Sequence, residues 1–231
     1  MEISNNIIRH YLKNVYFING TAYAGKSTMC AMLAERFGLI HCEENYGLDE
    51  MLSVVTQDEQ PHMNWFKTKK DWQAYLNLSP EDFEIWYEAN CREIAEFEVA
   101  HLLRLAGRGP IIVDTNIPYD LLRQIVGYHQ VAIMLSPQAM SVDRFFDRPD
   151  ADKQFLLSEI RKSSDPEHTM ENFRACIARV NSRERYEAWQ NSGFFTLVRE
   201  DEQADTREET CARLAAHFGF TAANSAVANT M

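Results

Sequence analysis

The sequence predicts an α/β fold, a five-stranded parallel sheet with helices on both faces. Three observations predict it. Five short apolar runs, Val15–Ile18, Leu39–Cys42, Ile111–Val113, Val131–Leu135 and Phe194–Val198, are all separated by stretches with helical patterns. These runs are apolar at successive positions rather than alternate ones, as in strands buried on both faces of a parallel sheet. Directly after the first run, Gly20-Thr21-Ala22-Tyr23-Ala24-Gly25-Lys26-Ser27 fits the pattern GxxxxGK[ST]. That puts a phosphate-binding turn at the carboxyl end of the first strand, where doubly wound sheets receive ligands.

Each part of this Walker A pattern answers a need of a polyphosphate. Its glycines let backbone N–H groups face the phosphates, Lys26 reaches the β and γ oxygens, and the Ser27 hydroxyl suits Mg²⁺. The nucleotide-binding residues expected are therefore Gly20 through Ser27 together with Thr28. A helix follows over Ser27–Phe37, with Met29, Met32, Leu33 and Phe37 at helical spacing and Gly38 where a C-terminal cap belongs.

After the second run come Glu43 and Glu44, and then a mostly helical insertion over about 43–105. Its clearest helix opens at Ser79-Pro80-Glu81-Asp82, an N-cap with proline at the first helical position. Phe83, Trp86, Tyr87, Ile94, Phe97, His101 and Leu105 mark one apolar stripe along it, read as core packing or as the wall of an acceptor pocket. The third run ends in Asp114, placed like the acid that closes a Walker B strand; the plainer reading is the start of a turn through Pro118. Between the fourth and fifth runs, a helical region over about 137–192 carries arginines in bunches: Arg144, Arg148, Arg161, Arg174, Arg179, Arg183 and Arg185. One domain over 1–220 and a flexible tail over 221–231 complete the expected organisation.

Composition narrows the function classes. With 23 basic and 34 acidic side chains, the net charge of −11 disfavours nucleic acid and anionic membranes as partners. Five scattered cysteines with no CxxC pair point to reduced thiols rather than a disulfide framework or a zinc site. The expected location is cytoplasmic, because no run of the chain is long and apolar enough to span a bilayer and the first residues lack a basic, signal-like segment.

Walker A, acids after the second strand, the aspartate of Ile111-Ile112-Val113-Asp114 and an arginine-bearing segment before the last strand occur in that order. In this the chain resembles the P-loop kinases, the group of P-loop NTPases that includes nucleoside and nucleotide kinases, shikimate kinase and antibiotic-phosphorylating enzymes. The resemblance covers nearly all of residues 14–218, with Walker A as its specific part. It implies a three-layer P-loop NTPase fold, ATP and Mg²⁺ as cofactors, a helical acceptor-binding insertion and a helical lid. It also implies roles: Lys26 on the transferring phosphates, Ser27 and Asp114 around Mg²⁺, with Asp114 alternatively on the acceptor. Glu43 or Glu44 would serve as the base, and Arg144 and Arg148, four apart, would share a helix face on the lid. The chain departs from the adenylate-kinase pattern in lacking Asp-Gly-Tyr-Pro-Arg after the third strand, and it carries Tyr23 where many members have a small residue.

Residues 43–105 hold 14 acids against 5 bases. That excess points to a neutral or cationic small-molecule acceptor with a hydroxyl, such as a nucleoside-like or aminoglycoside-like compound or another small metabolite. Two rivals compete with a kinase. Thr68-Lys69-Lys70-Asp71 resembles a guanine-recognition sequence, but it precedes Asp114, the wrong order for a GTPase switch, and reads instead as a cap at Thr68 with Asp71 as its third-position acid. An ATP-binding regulator or ATPase acting with a protein partner would keep Walker A and need no acceptor pocket.

Overall fold

The computed structural model of the chain describes residues 3–68, 71–147, 151–199 and 204–221. Helix α1 (Asn5–Tyr11) leads into β1 (Val15–Gly20), α2 (Lys26–Phe37) and β2 (Ile40–Cys42). Four helices follow: α3 (Leu48–Val54), α4 (Pro61–Thr68), α5 (Trp72–Leu76) and α6 (Pro80–Leu105). The chain then forms β3 (Ile111–Asp114), α7 (Tyr119–Ile125), a 3-10 turn at Tyr128–Gln130 and β4 (Val131–Leu135). Helices α8 (Gln138–Asp143), α9 (Ala151–Arg161), α10 (Pro166–Val180) and α11 (Arg183–Gln190) precede β5 (Phe195–Val198) and α12 (Arg207–Phe218).

The five strands form one parallel sheet in the order β2-β3-β1-β4-β5, with Phe17 level with Val113 on one side and Val131 on the other. The chain builds outward from β1 in both directions, so the strand order reverses at its carboxyl end and opens a crevice there. Successive residues of each strand supply opposite layers. Phe17, Ile111, Val113, Val131, Ile133 and Leu135 pack on one face, where Leu12, Ala95, Leu102 and Leu122 meet them. Ile18, Ile112, Ala132 and Met134 pack on the other, against Met29 and Leu33 of α2 and Leu214 and Phe218 of α12. The unbroken apolar runs of β1, β3 and β4 are thus explained by strands covered on both faces, while the edge strands β2 and β5 are only partly buried.

Helix α6, 26 residues long, starts as its sequence dictates: the Ser79 hydroxyl accepts the Asp82 N–H, and Pro80 occupies a position whose N–H needs no partner. Its apolar residues, however, serve three cores rather than one stripe. Phe83 and Tyr87 pack with Phe173 and Ile177 of α10, Ile94 and Phe97 with Met51, Val55 and Met63, and Ala95 and Leu102 with the sheet. A helix this long turns past several partners, and a helical-period pattern cannot say which residue meets which.

Two local expectations are corrected. Helix α8 ends at Asp143, and Arg144 is its C-cap with φ −103° and ψ 14°, so Arg144 does not continue a helix toward position 148. Arg148 lies outside the described residues, as do 222–231 of the expected tail. The N-cap of α5 is Asp71 itself, accepting the Ala74 N–H at 3.1 Å, while Thr68 closes α4 by donating to the Asn64 carbonyl at 2.8 Å. Among the described residues, no helix is long and apolar enough to cross a membrane.

Because Ser79 fixes the start of the helix that reaches all three cores, Ser79→Ala should cost about 1 kcal/mol in urea denaturation, and Ser79→Gly only a few tenths. Equal losses for the two would mean that the hydroxyl cap is not what the helix start relies on.

Candidate functional site

The loop after β1 is held in place by the strand beside it. Gly20 turns with φ +131°, and a Cβ built there would lie 1.8 Å from the Met134 carbonyl oxygen, so only glycine fits. The next N–H, of Thr21, donates to that same carbonyl at 3.0 Å. Ser136 then binds the loop twice, its N–H donating to the Thr21 hydroxyl (2.8 Å) and its hydroxyl to the Ala22 carbonyl (2.6 Å); Ser141 donates to Ala22 as well. Tyr23 carries a left-handed φ of 64°, and Arg199 donates to its carbonyl. Gly25 caps α2 with φ 90°, placing Lys26, Ser27 and Thr28 in the first turn of that helix. The first N–H groups of α2 consequently face the crevice with their dipole, the arrangement that receives a phosphate.

Asp114 ends β3 beside this turn and is 1% exposed. Ser27 Oγ donates to its Oδ2 at 2.6 Å, Lys26 Nζ stands 3.9 Å from Oδ1, and Lys26 Nζ also reaches the Thr21 carbonyl at 3.4 Å. Burial pushes the Asp114 carboxyl above its ordinary value, against the opposing pull of Lys26 and of the Ser27 hydroxyl. Its Oδ1 has no hydrogen-bond donor among the described residues. One hydroxyl and one buried carboxylate with an oxygen to spare make a hard-oxygen donor set, which suits Mg²⁺.

From the loop a cleft of about 1120 Å³ runs between α6 and the α10–α11 segment, and it separates the sequence candidates. Both Glu43 and Glu44 are exposed, but Glu44 lines the cleft and accepts from Asn116 Nδ2 at 2.9 Å, whereas Glu43 is not part of the lining. Tyr23 lines it too. Arg144 is exposed at the end of α8 and does not line it; the arginines that do are Arg92, Arg179 and Arg185. Arg92 pairs with Asp120 at 2.9 Å, Arg179 with Glu84 at 2.6 Å, and Arg185 with Glu84 at 3.2 Å and with Glu88. On the other side of the loop a smaller hollow of about 370 Å³ lies between Gly25, Thr28, Arg199, Arg207 and Arg213.

Two residues near the site escaped the sequence reading. Asn116 stands in the turn after Asp114 and looks there like an ordinary turn former. Glu98 of α6 is 5% exposed, takes a hydrogen bond from Thr115, and leaves Oε1 without a partner among the described residues. Burial, helped by the nearby charges of Asp114 and Glu44, lifts its carboxyl from 4.5 to about 8. A signal existed, since Glu98 falls between Ala95 and Leu102 at core-facing spacing, where an acid has no ordinary reason to be.

No family model matches the chain, and no curated protein does. Among solved structures it is similar to a dephospho-CoA kinase from Campylobacter jejuni, at 16% identity and a TM-score of 0.44, over 89% of this chain and 97% of that one. A likeness of that degree bears on neither activity nor substrate.

Glu98 gives the site a pH signature. The folded chain keeps its proton up to about pH 8, whereas the unfolded chain loses it near 4.5, so this group lowers stability as pH rises through that window. Urea denaturation of Glu98→Gln against the parent should therefore show the difference shifting in the variant's favour, by on the order of 3 kcal/mol between pH 5 and pH 8. A difference that does not change with pH would show that Glu98 is already ionised in the fold.

Proposed function

We propose that the chain is an ATP-dependent phosphotransferase of the P-loop kinase type, moving the γ-phosphoryl group of MgATP to a hydroxyl of a small acceptor. The observation that carries this reading is the junction of Lys26, Ser27 and the buried Asp114 at the head of a large cleft. A bare nucleotide switch needs the junction but has no use for a cleft of this size leading away from the phosphates.

The α2 amides and Lys26 would hold the β and γ phosphates, and the hollow beside Gly25 and Arg199 would receive the base and ribose. Ser27 and Asp114 would hold Mg²⁺, which when bound would neutralise charge on the phosphate oxygens. Glu44, kept in orientation by Asn116, accepts a hydrogen bond from the acceptor hydroxyl. In the transfer, the acceptor oxygen bonds to the γ-phosphorus as the bond to the β–γ bridging oxygen breaks; ADP leaves, and the hydroxyl proton passes to Glu44. The acceptor class is a nucleoside-like, aminoglycoside-like or other small hydroxylated metabolite, for which Tyr87 and Trp189 supply aromatic walls.

The test is phosphoryl transfer from MgATP across a panel of such acceptors, with thermal shifts read in parallel. Lys26→Ala and Asp114→Asn should each lower turnover by about a hundredfold or more while leaving the far-UV spectrum unchanged. Wild-type turnover in Lys26→Ala would remove the assignment of the site. Stabilisation by MgATP with no panel member adding to it would favour an ATPase or regulator that works with a protein partner.

A further inference from the structure

We infer that Glu84 and Glu88 are specificity-determining residues that make the acceptor end of the cleft reject a phosphorylated acceptor. This rests on the kinase reading above and names what the site refuses. The two glutamates sit four apart on α6, on the face that lines the cleft, as do their partners Arg179 at the end of α10 and Arg185 in α11. Glu84 receives both arginines, at 2.6 and 3.2 Å, and its side chain is only 20% exposed. Arg185 reaches onward to Glu88 and lies over the Tyr87 ring at 6.0 Å. Two cations are thus matched by two anions, and the fork of Arg185 is spent on carboxylates.

Among the described residues, the other cations of the cleft are engaged as well. Arg92 is taken by Asp120, Lys153 lies over the Phe145 ring, and Lys26 stands between Asp114 and the Thr21 carbonyl. A dianionic phosphate is recognised by arginine forks that can turn to it. Here an entering phosphate must displace a carboxylate already seated on the arginine and then remain beside that carboxylate as a like charge. An unphosphorylated acceptor meets no such cost, and a cationic one can add to the acidic partners. The pairing therefore works by exclusion: removing the glutamates should expose a phosphate site that the arginines are otherwise able to form.

The experiment measures binding of inorganic phosphate and pyrophosphate by calorimetry and thermal shift. A saturating non-hydrolysable MgATP analogue takes the loop after β1 out of the readout. The wild-type chain should show no further binding. Glu84→Gln/Glu88→Gln, which keeps side-chain shape, should bind either anion at least about tenfold more tightly than wild type, and adding Arg179→Gln/Arg185→Gln should abolish the gain. Tight phosphate binding by the wild type would overturn the inference, as would a folded double variant that gains nothing. If the double variant does not fold, Glu84→Gln alone is read in the same way, and the wild-type measurement stands by itself. If the analogue fails to bind, it is the nucleotide reading that falls; the phosphate comparison is then made in a Lys26→Ala background.

Discussion

A carboxylate that is 1% exposed at the end of a central strand needs partners, and the arrangement around the site follows from supplying them to Asp114. Its partners, the Ser27 hydroxyl and the Lys26 ammonium, both come from the first turn of α2, so the start of that helix must stand against the end of β3. To get there the chain must leave β1 and reverse within five residues. Gly20 makes that possible by passing the Met134 carbonyl at a distance that no side chain tolerates, and Gly25 by adopting a left-handed φ at the helix cap. The close pass requires β4 beside β1 on one side, and the carboxylate requires β3 on the other. The order β3-β1-β4 is thus both the centre of the fold and the condition for the site.

The far end of the cleft is built differently. There the sheet contributes little, and α6 carries the load by joining three separate cores along its length. Around Phe83 and Phe173 a group of aromatic rings, including Tyr75 and Trp86 with centroids 5.2 Å apart, ties α5 and α6 to α10. Beside it the arginine–glutamate pairs join α6 to α10 and α11. Exposed ion pairs contribute about 0–1 kcal/mol each, so the rings hold these helices together and the pairs mainly fix which charges face the cleft.

Strand positions were legible in the sequence because burial on both faces leaves an unbroken apolar run, and the phosphate loop because its glycines are demanded by backbone geometry. The fifth strand was legible to within one residue from its mostly apolar run, although it lies at the sheet edge with Leu197 buried and Val198 exposed. Side-chain partnership was not. Glu43 and Glu44 are equivalent as letters, and only the turn after β2, with Asn45 at φ 62°, separates the one that lines the cleft from the one that does not. Arg144 and Arg148 looked like a helix face because their spacing was right, but α8 stops before that spacing acquires meaning. Arg179 and Arg185 stand in the same arginine-rich region, but a position six residues on has no fixed direction until the turn between α10 and α11 is set.

The acid excess of the insertion shows how far a charge count can be from a field. Much of it is structural. Asp71 and Ser79 with Asp82 cap helices, Glu93 takes the His62 and Met63 N–H groups at the start of α4, Glu50 is bidentate to Arg104, and Glu98 is held with its proton. Others are neutralised across the cleft by arginines from outside the counted segment. Among the described residues, the wall of the cleft is accordingly not the strongly negative surface that the count implies, but a nearly balanced one whose cations are already engaged. Discrimination against anions then depends on which partners the arginines already hold. That is a local and directional property, set by which carboxylates α6 presents to the arginines of α10 and α11.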